Sequence, residues 1–292
     1  LLTSWNRLCV HYLVSPIAFS SYNYKHPSTH SSSHTQVHTP RLELCINFRE
    51  LVGFSGNLVA MNVTDAILKR KSIRAFKDTP VGVDTVKEIL EKATRAASGG
   101  NTQPWHFYVV TGGVLEELTN RVKTELENGN LSEKAEYQMY PPTKASAEYM
   151  KRRRKIAYDM YQLLGIDRSD QMGRLMHLQK NFAFFGAPVA IFVTLDRIVD
   201  RNGWGHAGMA LQNIALLAEE QGLQTCFQEA WANFPSVVYE TLGVPGDEIL
   251  WCAVALGQED KSAKVNSLVT EREPLHSLTR FYGFNDDNLS KL

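Results

Sequence analysis

Two arginines and a serine stand close together in Arg70-Lys71-Ser72-Ile73-Arg74. If a helix runs through this stretch, Arg70 and Arg74 share a face four residues apart. If the chain extends after Lys71, Ser72 and Arg74 point the same way instead. Either geometry can converge guanidinium forks and a hydroxyl on one phosphate, which arginine matches bidentately. The same residues also suit a solvated basic helix end, favoured by the helix dipole. A second group is Ser98-Gly99-Gly100-Asn101-Thr102-Gln103-Pro104-Trp105. Its glycines let backbone approach a ligand closely or adopt positive φ. Ser98, Asn101 and Gln103 carry hydroxyl and amide groups suited to the edge of a heterocycle. Alone, the stretch also reads as a plain turn. It lacks the GxGxxG and GxxxxGK[ST] spacings of a dinucleotide turn or a P-loop.

Three further groups are weaker. Gln228-Glu229-Ala230-Trp231 follows an apolar run whose end could present backbone amides to a ligand, or could simply leave a strand. Arg272 lies between Glu271 and Glu273 and suits an anion site or a surface ion pair. Lys151-Arg152-Arg153-Arg154-Lys155 is a basic run that reads first as a solvated helix face and second as a match for an anionic substrate. No HExxH, GxSxG or paired carboxylates stand out. His206, Glu219 and Glu220 read as structural or solvent-facing.

Positioning these groups falls to an alternating set of elements. Helices are expected at Val63 to Lys71, with Thr64 near the cap, and after Asp84, with Val86, Ile89, Leu90, Ala93 and Ala97 at helical spacing. Ser98-Gly99-Gly100 ends the second. Strands are expected at His106 to Thr111, Pro188 to Leu195, Leu223 to Gln228 and Leu250 to Leu256. Further helices are expected at Val114 to Glu127, Ala147 to Leu164, Gln171 to Phe185, His206 to Gln221 (closed by Gly222) and Pro235 to Leu242, with Pro at N1. The mixture implies one α/β-containing domain over residues 61–292. Residues 133–180, polar and Pro-broken before two helices, read as a lid over the site. Its Tyr137, Tyr140 and Tyr149 could stack on a flat acceptor.

Composition narrows the classes. Lys plus Arg and Asp plus Glu are both 31, so a dedicated nucleic-acid binder is disfavoured. No apolar run reaches the ~20 residues of a membrane span. Cys9, Cys45, Cys226 and Cys252 form no CxxC pair and read as free thiols of a reducing compartment. Residues 1–60 differ from the rest: Ser20 to Pro40 is rich in Ser, Thr and His and cannot offset its ordering entropy. Read for targeting, the segment suits an organellar transit peptide; an untargeted chain would be cytoplasmic. A disordered tail, a translated upstream region or an incomplete gene model fits equally well. His30, His34 and His38 are spaced for metal on a helix, but the surrounding Ser and Thr disfavour one.

In this order, the arginine stretch extended to Ala75-Phe76, the SGGNTQPW stretch, Gly222-Leu223-Gln224-Thr225-Cys226 and Thr270-Glu271-Arg272-Glu273-Pro274-Leu275 resemble the FMN-dependent nitroreductase family. The resemblance runs from Met61 to Phe284, and Met150 to Phe192 is similar to a nitrobenzoate-reductase-like subgroup. It implies an α+β sandwich, a central mostly antiparallel sheet flanked by helices, with FMN at a homodimer interface. By match, Arg70, Lys71, Ser72, Arg74 and Arg272 would hold the phosphate and ribityl chain. Ser98, Asn101 and Gln103 would line the flavin. Phe227, Gln228 and Glu229 would pack near the ring, with the amides of Glu229 and Ala230 facing its N5. Many members carry Gly where Ala230 stands and Arg where Val269 stands.

The implied activity is ping-pong: NADPH or NADH reduces the flavin, which then reduces a nitroaromatic or similar flat acceptor in the same pocket. No catalytic side chain and no metal is expected. Two alternatives accompany this reading. One is a halotyrosine-type reductive dehalogenase, for which Tyr149-Met150-Lys151-Arg152 resembles part of a Glu–Tyr–Lys clamp; Ala145 and Asn181 stand where the Glu and Lys would fall. The other is a flavin-binding module without turnover.

Overall fold

The computed structural model describes residues 61–139 and 147–284. The tail 1–60, with Cys9, Cys45 and the three spaced histidines, lies outside the described residues, as do Tyr140 and Ala145. The helices, in chain order, are α1 Val63–Lys69, α2 Val83–Ala93, α3 Gly112–Glu127, α4 Ala147–Leu163, α5 Gln171–Gln179, α6 Arg201–Glu220, α7 Pro235–Leu242 and α8 Leu275–Leu278. The strands are β1 Trp105–Thr111, β2 Val189–Asp196, β3 Gln224–Gln228 and β4 Glu248–Gly257. They form one sheet in the order β1-β2-β4-β3, with every neighbouring pair antiparallel.

The near-continuous apolar run of β2 follows from its place. Side chains alternate between faces along a strand, and both faces of β2 are covered. Val189, Ile191 and Val193 join Cys252, Val254 and Leu256 of β4 against Val86, Ile89 and Ala93 of α2 and Leu211, Ile214 and Ala218 of α6. Ala190 and Phe192 join Ala253 and Ala255 against Leu118 and Val122 of α3 and Val237 and Val238 of α7. The result is a layer of helices on each side of the sheet, the expected α+β sandwich.

Element ends differ from the sequence reading for local reasons. The side chain of Asn62, not Thr64, caps α1 by accepting the Asp65 N–H. The first helix stops at Lys69 because Arg70 is extended, with φ −56° and ψ 123°. α2 starts at Val83 after Gly82, leaving Asp84 in the first turn, and ends at Ala93, well before Ala97. The helix expected to run to Phe185 ends at Gln179. A 3-10 turn, Lys180–Gly186, follows, with Phe184 and Phe185 at φ 50° and 54°. Those left-handed residues cost strain, offset by where the rings go: Phe184 stacks on Trp231 at 4.8 Å and both phenylalanines are buried. α6 begins five residues before His206, with Asp200 accepting the Arg201 N–H.

Candidate active site

The arginine stretch runs beside β3 as a short extended strap. Ser72 forms a parallel bridge with Thr225, and the Ile73 N–H donates to the Thr225 carbonyl at 3.0 Å. Ile73 is fully buried, so its neighbours must turn the other way. The Arg74 guanidinium lies beside the carbonyl of Ser72, with Nη1 donating at 3.3 Å. That contact uses a small part of its five N–H groups. Arg70, at the end of α1, has no side-chain partner among the described residues. The Lys71 ammonium meets Glu259 at 3.0 Å and the Asn266 carbonyl at 2.5 Å. It ties the strap to the loop after β4, where Asn266 also receives the Arg74 N–H.

Asn266 is a positioning residue that motif reading missed. It is 2% exposed. Its Oδ1 accepts the Arg74 N–H at 2.8 Å, and its Nδ2 donates to the carbonyls of Ala75 at 2.8 Å and Asp260 at 2.9 Å. A buried amide that meets three backbone groups of two loops fixes the strap's course. A lone Asn in a polar loop carries no sequence signal for that.

β3 delivers Phe227 and Gln228, and Glu229 opens a 3-10 turn, Glu229–Asn233. Gln228 is 1% exposed; its Nε2 donates to the Asn181 carbonyl at 2.8 Å, while its Oε1 is buried without a donor among the described residues. The Ser72 hydroxyl and Arg74 lie near the Cys226 thiol, which burial pushes up to about 11. Cys226 and Cys252 are both free and buried.

The SGGNTQPW turn sits at the other edge of the sheet, leading into β1. Gly100, Asn101 and Gln103 have φ of 60°, 57° and 47°. Only glycine takes such angles without strain, so the turn needs external support. The Ser98 Oγ accepts the Gln103 N–H at 3.1 Å, and His206 Nε2, on α6, accepts the Gly99 N–H at 3.1 Å. His206 therefore keeps its ring proton on Nδ1, which is buried with no partner among the described residues. A polar residue on the small-residue stripe Gly203–Ala207–Ala210 was the available signal for this role. β1 and β3 are separated by β2 and β4, roughly 14 Å at ~4.8 Å per strand. One chain thus carries two half-sets: Arg70, Ser72, Arg74, Phe227, Gln228 and Glu229 at one edge, and Ser98, Asn101 and Gln103 at the other.

Arg272 lies on the arm that follows β4. It donates to Thr270 and the Glu271 carbonyl and lines a cavity of about 420 Å³ against α4. Glu273 pairs with Arg152 at 3.4 Å and Glu271 with Lys155 at 3.2 Å.

The segment expected to be a lid is divided. Its first residues are fixed to the body. Glu133 accepts the Ser236 N–H and hydroxyl, capping α7; Glu136 takes Arg197 at 2.7 Å and the Tyr239 hydroxyl. The Tyr137 hydroxyl meets the Trp251 carbonyl at 2.5 Å, and its ring packs on Trp204 at 4.8 Å. Tyr137 is thus held to the body at both its hydroxyl and its ring. α4, by contrast, has no buried residue, and Tyr149 is exposed under the Arg152 guanidinium at 5.2 Å. The Asn181 carbonyl receives Gln228 Nε2 at 2.8 Å and its side-chain Nδ2 donates to the Leu178 carbonyl at 2.8 Å.

A sequence model of the nitroreductase family matches residues 67–258. The chain belongs to the nitroreductase family. A 4-nitrobenzoate reductase of Pseudomonas putida is 34% identical over 222 residues, 76% of this chain and 96% of that protein. A chloronitrobenzene nitroreductase of Comamonas testosteroni is 34% identical over 219 residues, 75% and 96% of the two chains. The crystal structure of the FMN and NADPH-dependent nitroreductase NfnB from Sphigopyxis sp. strain HMH superposes with a TM-score of 0.74 at 37% identity, covering 77% of this chain and all of that one. No described helix is long and apolar enough to cross a membrane.

Proposed function

We propose that this nitroreductase-family chain is an NAD(P)H-dependent FMN enzyme that reduces nitroaromatic compounds. The observation that carries the reading is the pair of half-sets on opposite sheet edges, in a chain that spans relatives with that chemistry almost end to end. The donor set fits the cofactor. Arg70, Ser72 and Arg74 offer largely unspent N–H and hydroxyl donors for a phosphate. The Ser98–Gln103 turn offers amides and open backbone for a ring edge.

A two-fold dimer solves the separation. In an isologous pair the same patch serves both chains, so the turn of one copy can face the arginine strap of the other. Apolar surface on one chain supports this. Val63, Ile67 and Leu68 of α1 are exposed at 71%, 52% and 78%, and Leu278, Tyr282 and Phe284 at 69%, 84% and 69%. Exposed apolar strips of this kind mark interaction surfaces.

When bound, FMN supplies hydride transfer from NADPH or NADH to the acceptor. The chain's part is to hold and shield it. Arg70, Ser72 and Arg74 anchor its phosphate end, with Arg272 joining from the arm that follows β4. Ser98, Asn101 and Gln103 read its ring edge, and Phe227 and Gln228 close the strand side. Residues 1–60 take no part in this reading. The test is direct: the purified full chain takes up FMN, runs as a dimer in light scattering, is bleached by NADPH and regains its colour with 4-nitrobenzoate. A colourless protein overturns the flavin assignment, and a bleached one that no nitroarene reoxidises is a flavin-binding module.

A further inference from the structure

We infer that Glu229 is the proton donor to the acceptor, a carboxylic acid set in the wall of the cavity where β3 ends. The inference rests on the nitroreductase reading and deepens it, since that reading assigns no acid. The cavity holds about 340 Å³ and is lined by Gly208, Leu211, Phe227, Glu229, Trp251 and Cys252. Glu229 is the one carboxyl in this otherwise apolar lining.

Hydrogen-bond counting favours its neutral form. The Tyr137 hydroxyl has one hydrogen and faces two acceptors, the Trp251 carbonyl at 2.5 Å and Glu229 Oε1 at 3.4 Å. The shorter contact takes the hydrogen. What remains for Oε1 is the Trp251 indole N–H, also at 3.4 Å, a long bond. Both neighbours address Oε1, which leaves Oε2 to carry a proton. Among the described residues, the elements packed against the carboxyl bring no cation: Tyr137 comes from the 133–137 stretch, Trp251 and Cys252 from β4, and Gly208 and Leu211 from α6. Burial pushes the Glu229 carboxyl above its usual range, the indole and phenol contacts opposing it. The Cys252 thiol beside it is pushed up by burial, so it stays neutral too.

The chemistry needs a proton at this point. Reduction of a nitro group to nitroso takes two electrons and two protons. The hydride that NADPH supplies through the cofactor brings both electrons and one proton. Glu229 gives the second from Oε2; one N–O bond breaks and its oxygen leaves as water. Glu229 is then reprotonated from solvent.

Half-reactions of the FMN-loaded full chain test this. In Glu229→Gln the oxidative step with 4-nitrobenzoate slows about 100-fold, the scale of lost general-acid catalysis, and Glu229→Asp recovers part of it. The wild-type oxidative rate falls as pH rises and loses that dependence in Glu229→Gln. Infrared spectra of the flavin-free protein give a second readout: at neutral pH the wild type shows a protonated-carboxyl band that Glu229→Gln lacks. A Glu229→Gln protein reoxidised at the wild-type rate, or a missing band, overturns the assignment. If the variant loses FMN, the band and the Glu229→Asp rates decide. A wild type that takes up no FMN instead removes the nitroreductase reading, and this inference with it.

Discussion

α6 and α4 are nearly equal in length, 20 and 17 residues, and both carry helical signals, yet they do opposite work. α6 buries Gly203, Ala207, Ala210, Leu211, Ile214, Ala215 and Ala218 against the sheet. From that fixed position it aims His206 at the strained turn and lends Gly208 and Leu211 to the cavity beside Glu229. α4 buries no residue of its own; among its described contacts are exposed ion pairs with the 271–273 arm and the Tyr161 ring against His177. The contrast teaches where precision sits in this fold. α6 is fixed by packed apolar atoms that cannot shift, and α4 is held to the 271–273 arm by exposed charges. Local stability is uneven across a fold in this way, highest where apolar contacts are dense and lowest where contacts are exposed.

The comparison breaks first in stability. Ile214 is fully buried. Ile214→Ala should cost about 2–5 kcal/mol through lost transfer and a cavity, seen as a lower urea midpoint at unchanged m-value. Ile156→Ala on half-exposed α4 should cost well under that. Equal losses would make α4 part of the core.

His177 marks the seam between the two regions. It is buried against Tyr161 of α4 and Phe185 of the body, with ring centroids 6.2 Å and 6.0 Å away. Burial, then Lys180 and Arg74, lower its pKa from 6.5 to about 4. The unfolded chain therefore takes up this proton first as pH falls. The contribution to stability is complete above pH 6.5 and drains away toward about pH 4. The total is roughly 3 kcal/mol. His177→Phe should flatten that limb in unfolding curves at pH 7 and 4.5. An unchanged acid limb would place the titration elsewhere.

Within the strap, the contrast is between neighbours of like charge. Arg74→Ala should weaken FMN roughly 10- to 100-fold, since hydrogen bonds to a charged group contribute about 1.5–3 kcal/mol. Lys71→Ala removes an ion pair with Glu259 instead and should leave the dissociation constant within about threefold. Fluorescence titration reads both, and equal weakening would return Lys71 to the phosphate.

That pair shows what the sequence could carry. The cluster Arg70 to Arg74 was visible as chemistry, but which cation faces which way depends on the chain turning extended at Arg70, which spacing left open. The core strands were legible because β2 and β4 are buried on both faces and read as unbroken apolar runs. The Phe184–Phe185 kink was not, because two left-handed phenylalanines are stable only when Trp231 is already in place. Asn266 and the partners of His206 and Tyr137 escaped for a related reason: their long-range contacts span 92 to 192 residues, and spacing along the chain does not record which distant group each will meet.

The smallest effect tests the loose side of the comparison. α4 is tied to the 270–274 arm by Arg152–Glu273 and Lys155–Glu271, pairs whose side chains keep 35% to 75% exposure. Exposed pairs contribute about 0–1 kcal/mol each and are screened by salt. Tyr149 and Lys151 lie one turn before these ties, on the surface, 57% exposed for the tyrosine. Tyr149→Ala removes a ring that a flat acceptor could stack on, a contact contributing about 0.5–1.5 kcal/mol beyond area. Lys151→Ala removes a charge that an anionic acceptor such as 4-nitrobenzoate would feel and uncharged nitrobenzene would not. Both variants should keep FMN affinity and thermal stability. Tyr149→Ala should slow the oxidative half-reaction with both acceptors, by roughly 2- to 10-fold. Lys151→Ala should slow it with the anion alone, less so at high salt. Stopped-flow traces at two ionic strengths separate the cases. Loss of FMN or of the dimer, with acceptor preference intact, would make α4 an interface element and return acceptor choice to the rigid side of the molecule.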